Sequence, residues 1–212
     1  MKTGLFVVVE GPDGVGKTTL ARALAARLRA GGREVIEVRE PGGTPVAEAC
    51  RALVLDPAHP LAPAAELFLM LAARADLVAG VIAPALARGA VVLSDRFDLS
   101  TLAYQVAGRG LSEPDVRRAN AVATGGLVPD LTLVVDLPAD QARSRRQAVG
   151  TALDRMEQGD AAMRQRVAQC FARAAGPGVV HLDGGVGAEP LADRAWELLR
   201  AGLAEHTSPA QG

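Results

Sequence analysis

The chain has 212 residues, 49% of them hydrophobic and 22% charged, with a formal net charge of −1. That is one domain's worth of sequence with ample material for a core, and it excludes a disordered chain. The absence of a basic excess argues against nucleic acid as a partner, and interspersed charge without a polybasic run argues against a membrane surface.

Residues 5–10 (LFVVVE) are an apolar run with β-branched residues that predicts a strand buried on both faces. The apolar part is too short for a signal peptide and ends in Glu10, so a cytoplasmic protein is expected. Leu20, Leu24 and Leu28 recur at helical spacing over 18–30, and Gly31-Gly32 stops that helix. Alternation over 34–39 predicts a second strand, 41–45 (PGGTP) a loop, and 46–54 a helix. The Pro-rich stretch 56–63 predicts another loop. A long helix follows over 64–88, kinked at Pro84. No run of 18 apolar residues is present, so no spanning helix is expected. Residues 90–95 (AVVLSD) predict a third strand, 98–107 and 112–123 helices, and 131–136 (LTLVVD) a fourth strand. Helices over 139–148 and 157–175, a strand over 179–183, a helix over 188–204 and a flexible tail over 206–212 complete the chain. Strands alternating with helices predict an α/β fold built on a parallel sheet, in a single domain over 1–205. Cys50 and Cys170 lie far apart with no metal-binding spacing, so two reduced thiols are expected.

Between the first strand and the first helix stands Gly11-Pro12-Asp13-Gly14-Val15-Gly16-Lys17-Thr18, then Thr19. This is the pattern G-x-x-x-x-G-K-[ST] in the setting that gives it meaning, a strand running through a glycine-rich loop into a helix. Its backbone N–H groups and helix N-terminus suit the phosphates of ATP. Lys17 supplies a mobile cation, and Thr18 a hydroxyl for Mg2+. Lys17 is one of only two lysines in a chain with 21 arginines. A GTPase is excluded: the only asparagine, Asn120, is followed by Ala121, so no N-K-x-D guanine reader exists. The size suits a small-molecule or nucleotide kinase. An anionic acceptor calls for arginines, and Arg39 and Arg96 stand at the carboxyl ends of strands, where open α/β sheets bind ligands. Arg74 lies in the long helix. Asp95 ends the third strand, placed to act through Mg2+.

Several stretches together carry a family resemblance: EGPDGVGKTT (10–19), REPGGT (39–44), AAR (72–74), DRFDLSTLAYQ (95–105), GRGL (108–111), PDLTLVVDL (129–137) and LDRME (153–157). In this order the chain resembles the bacterial thymidylate kinases over almost its whole length. The resemblance implies a P-loop NTPase fold with a five-stranded parallel sheet, a mobile lid over about 140–155, and a homodimer. It implies transfer of the γ-phosphoryl of ATP to dTMP, with Mg2+ as cofactor held by Thr18 and Asp95. By position, Asp13 would reach the sugar 3′-hydroxyl or the acceptor phosphate, and Arg39 and Arg96 would hold that phosphate. Arg74 would bond thymine O4. Ser100, Thr101 and Gln105 would line the base pocket, and Tyr104 would crowd the 2′ position. Pro41 would follow a cis peptide.

Two positions depart from the family pattern. Met70 replaces the phenylalanine that commonly stacks on thymine, so stacking is either weakened or taken over by another group such as Phe68 or Phe97. The phosphate loop carries no extra basic residue, and the lid is thin in arginine after Arg143, Arg145 and Arg146. The expected catalytic residues are Lys17, Arg96 and Asp13, with Arg146 and Arg155 the two candidates for the lid arginine that stabilises the transferring phosphoryl. The alternative reading is a kinase of the same fold acting on another nucleoside, nucleotide or small phosphate acceptor; a third is a nucleotide-binding regulatory protein.

Overall fold

The structure is a computed structural model that describes residues 3–148, 150, 154–156 and 158–207. Five strands form one parallel sheet: β1 (Phe6–Glu10), β2 (Val35–Arg39), β3 (Val91–Asp95), β4 (Leu131–Asp136) and β5 (Val179–Asp183), in the order β2-β3-β1-β4-β5. All of β1 is buried, as a central strand covered on both faces must be.

Side chains alternate across the sheet with period two. Val7, Val9, Leu93, Leu133 and Val135 face one way and pack with α1 (Lys17–Ala30) and α9 (Ala188–Thr207). Phe6, Val8 and Val92 face the other way, onto the helical run that begins with α3 (Pro63–Leu77). Between these lie α2 (Pro45–Leu55), α6 (Glu113–Thr124), α7 (Ala139–Ala148) and α8 (Ala161–Ala172), in chain order.

The long helix does not break at Pro84. It passes through a π-helical turn, Val78–Ile82, in which the Ala83 N–H donates to the Val78 carbonyl. It continues as α4 (Ala83–Ala87), with Pro84 directly after the π turn. The run Pro63–Ala87 is long and apolar enough to cross a membrane by length and composition, contrary to the sequence reading. Within the protein it buries Glu66 and Arg74 in ion pairs, as a core helix does. The helix expected over 98–107 is a short α5 (Asp98–Thr101) continuing as a π-helical stretch, Leu102–Gly108. The helix expected over 157–175 is shorter, because the Asp160 side chain accepts from the Met163 N–H and starts α8 there. α9 runs on to Thr207, past the start of the expected tail at 206. The remainder of that tail, 208–212, and positions 149 and 151–153 of the expected lid lie outside the described residues.

Candidate active site

The register sets the site. Arg39 pairs with Asp95 and Asp95 with Val9, so β1, β2 and β3 end level and feed their next residues into one cleft. Asp13, Thr18, Arg39, Pro41, Met70, Asp95, Arg96, Ser100 and Tyr104 all line it.

The phosphate loop forms one lip. Gly14 has φ 83, and a Cβ there would clash with the Ala142 carbonyl, so α7 packs directly against the loop. Gly16, with φ 100, opens α1, and no side chain caps the helix. The first-turn N–H groups of α1 are therefore available to an anion. Lys17 is buried and donates to the Pro12 carbonyl at 2.6 Å. Burial, reinforced by the Arg96 charge, pulls its ammonium down to about 8.

Asp13 joins this lip to the acceptor side. Its carboxylate accepts from Arg96 and, at 2.8 Å, from the Tyr104 hydroxyl, with Lys17 at 3.8 Å. Burial alone would raise this carboxyl, but the Arg96 and Lys17 charges and the Tyr104 bond hold it well below the usual range. Arg96 lies over the Tyr104 ring and donates to Ser100 at 2.8 Å. Across the cleft, Arg39 pairs with Glu48 at 3.0 Å, and the Glu40–Pro41 peptide is cis.

Thr18 donates to Asp95 at 2.5 Å. A hydroxyl and a carboxylate side by side at the mouth of a phosphate loop fit Mg2+, which takes one or two protein oxygens and completes its shell with phosphate and water. No cluster of three acidic, His or Cys side chains that could hold a metal by protein alone occurs among the described residues.

Three expectations meet a different geometry. Arg74 is 1% exposed and engages all its donors within the protein. Its guanidinium bonds Glu40, Thr101, Asn120 and the Phe97 carbonyl, leaving no N–H for thymine O4. Phe68 is 63% exposed on the outer surface, and Phe97 is fully buried edge-on to Phe6, so neither takes the stacking place beside Met70. Arg155 donates to Val54 O at 2.7 Å and pairs with the buried Glu66 at 2.8 Å, which also holds Arg109. It anchors the end of the expected lid to α2 and α3. Arg146 stands beside the phosphate loop, its Cβ 3.2 Å from where a Gly14 Cβ would lie.

Gln105 and Thr101 are buried behind the cleft, and Gln105 donates to Glu66 while its Oε1 has no protein partner. Arg51, Glu40, Asp154 and Met156 line the cleft and were not anticipated. Arg51 had a signal. It shares the α2 face of Ala47, Cys50 and Val54, and an arginine on an apolar stripe needs a reason to be there. It donates to the Pro41 carbonyl at 2.8 Å.

The family model for thymidylate kinase matches residues 9–185. The chain belongs to the thymidylate kinase family. It is 56% identical over 173 residues to a thymidylate kinase of Cereibacter sphaeroides (strain ATCC 17029), a match covering 79% of this chain and 80% of that protein. It is 50% identical over 171 residues to one from Deinococcus radiodurans, covering 81% and 82%. With one from Pseudomonas entomophila the identity is 48% over 206 residues, covering 96% and 98%. Membership of the thymidylate kinase family accords with the sheet order, the phosphate loop and the arginine-lined cleft.

Proposed function

We propose that this cleft transfers the γ-phosphoryl group of ATP to the 5′-phosphate of dTMP, giving dTDP and ADP. The observation that carries the reading is the contact between Arg96 and Asp13, which brings an acceptor-side cation within bonding distance of the phosphate loop. In-line transfer needs donor and acceptor held at that closeness.

ATP phosphates lie in the backbone cradle from Gly11 to Thr19, including Val15, with Lys17 on the β- and γ-phosphates. Arg39, Arg51 and Arg96 hold the dTMP phosphate, which takes the place of the Asp13 carboxylate on Arg96. Asp13 is then free to bond the sugar 3′-hydroxyl. Arg146 is the better placed of the two lid candidates to meet the transferring phosphoryl, because it stands directly beside the phosphate loop at Gly14. Mg2+, when bound by Thr18 and Asp95, neutralises charge between the phosphates.

Met70 and Pro41 give the base an apolar wall, and a thioether packs well on a ring face. Gln105, buried behind the cleft with its Oε1 unpartnered, gives the base pocket a polar back wall. Arg74 serves the base pocket indirectly, fixing Glu40 and Thr101 around it. Tyr104 occupies the 2′ side of the sugar.

The reading includes one kinase domain over 1–205, a lid over about 140–155 and a cytoplasmic setting, which suits two free thiols. It includes a homodimer. Ala65, Phe68, Ala72, Ala79 and Ala83 form an exposed apolar stripe on the outer face of α3 and α4, and a second copy would cover it.

A coupled ADP-release assay across dTMP, dUMP, dCMP, dGMP and UMP tests the activity. dTMP should exceed every other acceptor in kcat/KM by at least about tenfold. Better turnover of another monophosphate would overturn the acceptor, and no transfer to any would overturn the kinase.

A further inference from the structure

Arg96 is the only non-glycine residue with positive φ among the described residues, at 78°. An L-residue with a long side chain rarely stays there unless its surroundings hold it. Here both flanking peptides are pinned. The Arg96 N–H donates to the Val9 carbonyl at 3.0 Å. The Ser94 hydroxyl donates to the Arg96 carbonyl at 2.7 Å. The next N–H, of Phe97, donates to the Glu10 carboxylate at 2.7 Å.

Glu10 does more than receive that one bond. Its two oxygens also accept from the Ser100 N–H at 3.1 Å and the Ser100 hydroxyl at 2.6 Å. Ser100 in turn accepts from the Arg96 guanidinium. A single carboxylate therefore fixes the backbone after Arg96 and, through one serine, the end of its side chain. Glu10 and Ser94 are both fully buried, and neither lines the cleft. Glu10 is also the residue before Gly11, so the strand end that holds the acceptor arginine launches the phosphate loop.

We propose that Glu10 and Ser94 are positioning residues for phosphoryl transfer, clamping the Arg96 peptide in its left-handed form so that the guanidinium is aimed at the phosphate loop before substrate arrives. The geometry explains why a fully buried carboxyl stands where an apolar residue would pack at least as well. Burial pushes Glu10 up to about 7, against the pull of the Arg96 charge and the bonds from Ser100 and Phe97. Asp98 and Lys17 are the other charges that act on it.

The proposal rests on the acceptor reading of the cleft for its kinetic test, and on nothing but the fold for its stability test. In the kinetic test, Glu10→Gln and Ser94→Ala should each lower kcat/KM for dTMP by about tenfold, the ratio that one lost hydrogen bond of ordinary strength gives. KM for ATP should stay within about twofold, because the bonds that the two variants remove, to Arg96 O and to Ser100, involve no atom of the phosphate loop. Ser94→Thr, which keeps the hydroxyl, should recover most of the loss. Equal losses on both substrates, or no rescue, would overturn the positioning role.

The stability test compares Arg96→Gly with Arg96→Ala. Glycine relieves a left-handed position, so the glycine variant should melt roughly 2–5 °C above the alanine variant. With Glu10→Gln and Ser94→Ala added, the side-chain holds are weakened and only the Arg96 N–H bond to Val9 stays whole, so the peptide can relax and the gap should shrink by at least half. A gap that shrinks by less would show that Arg96 is held by something else. Should the wild-type protein fail to phosphorylate dTMP, the acceptor reading falls, and the melting comparison still decides the clamp.

Discussion

At the scale of single residues, the most informative are those whose charge is altered by their neighbours. Lys17 holds its proton less tightly than a free lysine, its ammonium being pulled down to about 8 by burial and by Arg96. The folded site therefore carries this charge below pH 8 and loses it above, well short of the ordinary lysine range. We expect kcat/KM for ATP to fall as pH rises through 8, measured under saturating dTMP, and Lys17→Arg to remove that limb at a lower rate. Arg74 illustrates the opposite case, a charge held wholly by structure. Arg74→Ala leaves Glu40 buried without its partner, and the expected loss is about 3–5 kcal/mol in urea denaturation. Tyr104 bonds Asp13 through its hydroxyl and presents its ring to the cleft. Tyr104→Ala should raise the ratio of UMP-type ribonucleotide to dTMP turnover about tenfold, since a 2′-hydroxyl no longer has to be desolvated against the ring; parallel loss on both would refute the gate. The phosphate loop was legible because its chemistry is contiguous. The Arg74 network was not, because its partners Glu40, Thr101 and Asn120 are 34, 27 and 46 positions away and only packing brings them together.

At the scale of elements, strands and helices followed from periodicity and end signals, and the differences have local causes. Thr44 accepts from the Ala47 N–H and Pro45 opens α2, so its start was readable. Asp160 plays the same part for α8, but polar residues before it hid the boundary. The π-helical stretch 102–108 left no mark in the sequence. It contains no proline, and it widens where α8 packs against it, with Met163 and Val167 close beside Gly108. That stretch carries Tyr104 and Gln105, so α8 supports the site from behind. Asp160→Ala should cost about 1 kcal/mol of stability by removing the cap. It should also raise KM for dTMP more than KM for ATP, because α8 packs against the stretch that carries Tyr104 and Gln105; an equal rise would separate α8 from the site.

At the scale of the whole molecule, the helical run from Pro63 to Ala87 has two lives. Its inner face places Met70 and Arg74 around the cleft, and its outer face leaves Phe68 in solvent. Phe68→Asp puts a charge in the middle of the proposed dimer contact. The variant should elute as a monomer in light-scattering chromatography while keeping its melting behaviour at high dilution, and an unchanged dimer would move the contact elsewhere.

The pairing of the cleft's cations with tethered carboxylates has a consequence for which anions the site ignores. Arg96 already holds Asp13, Arg39 already holds Glu48, and Lys17 lies near Asp13. A free inorganic anion must displace a carboxylate that cannot diffuse away, and it brings no base or sugar to help. The cell's abundant phosphate and sulfate should therefore compete poorly, while a nucleotide anchored at its other end completes the exchange. The site is in effect a selective ion exchanger, pre-loaded with its own counter-ions.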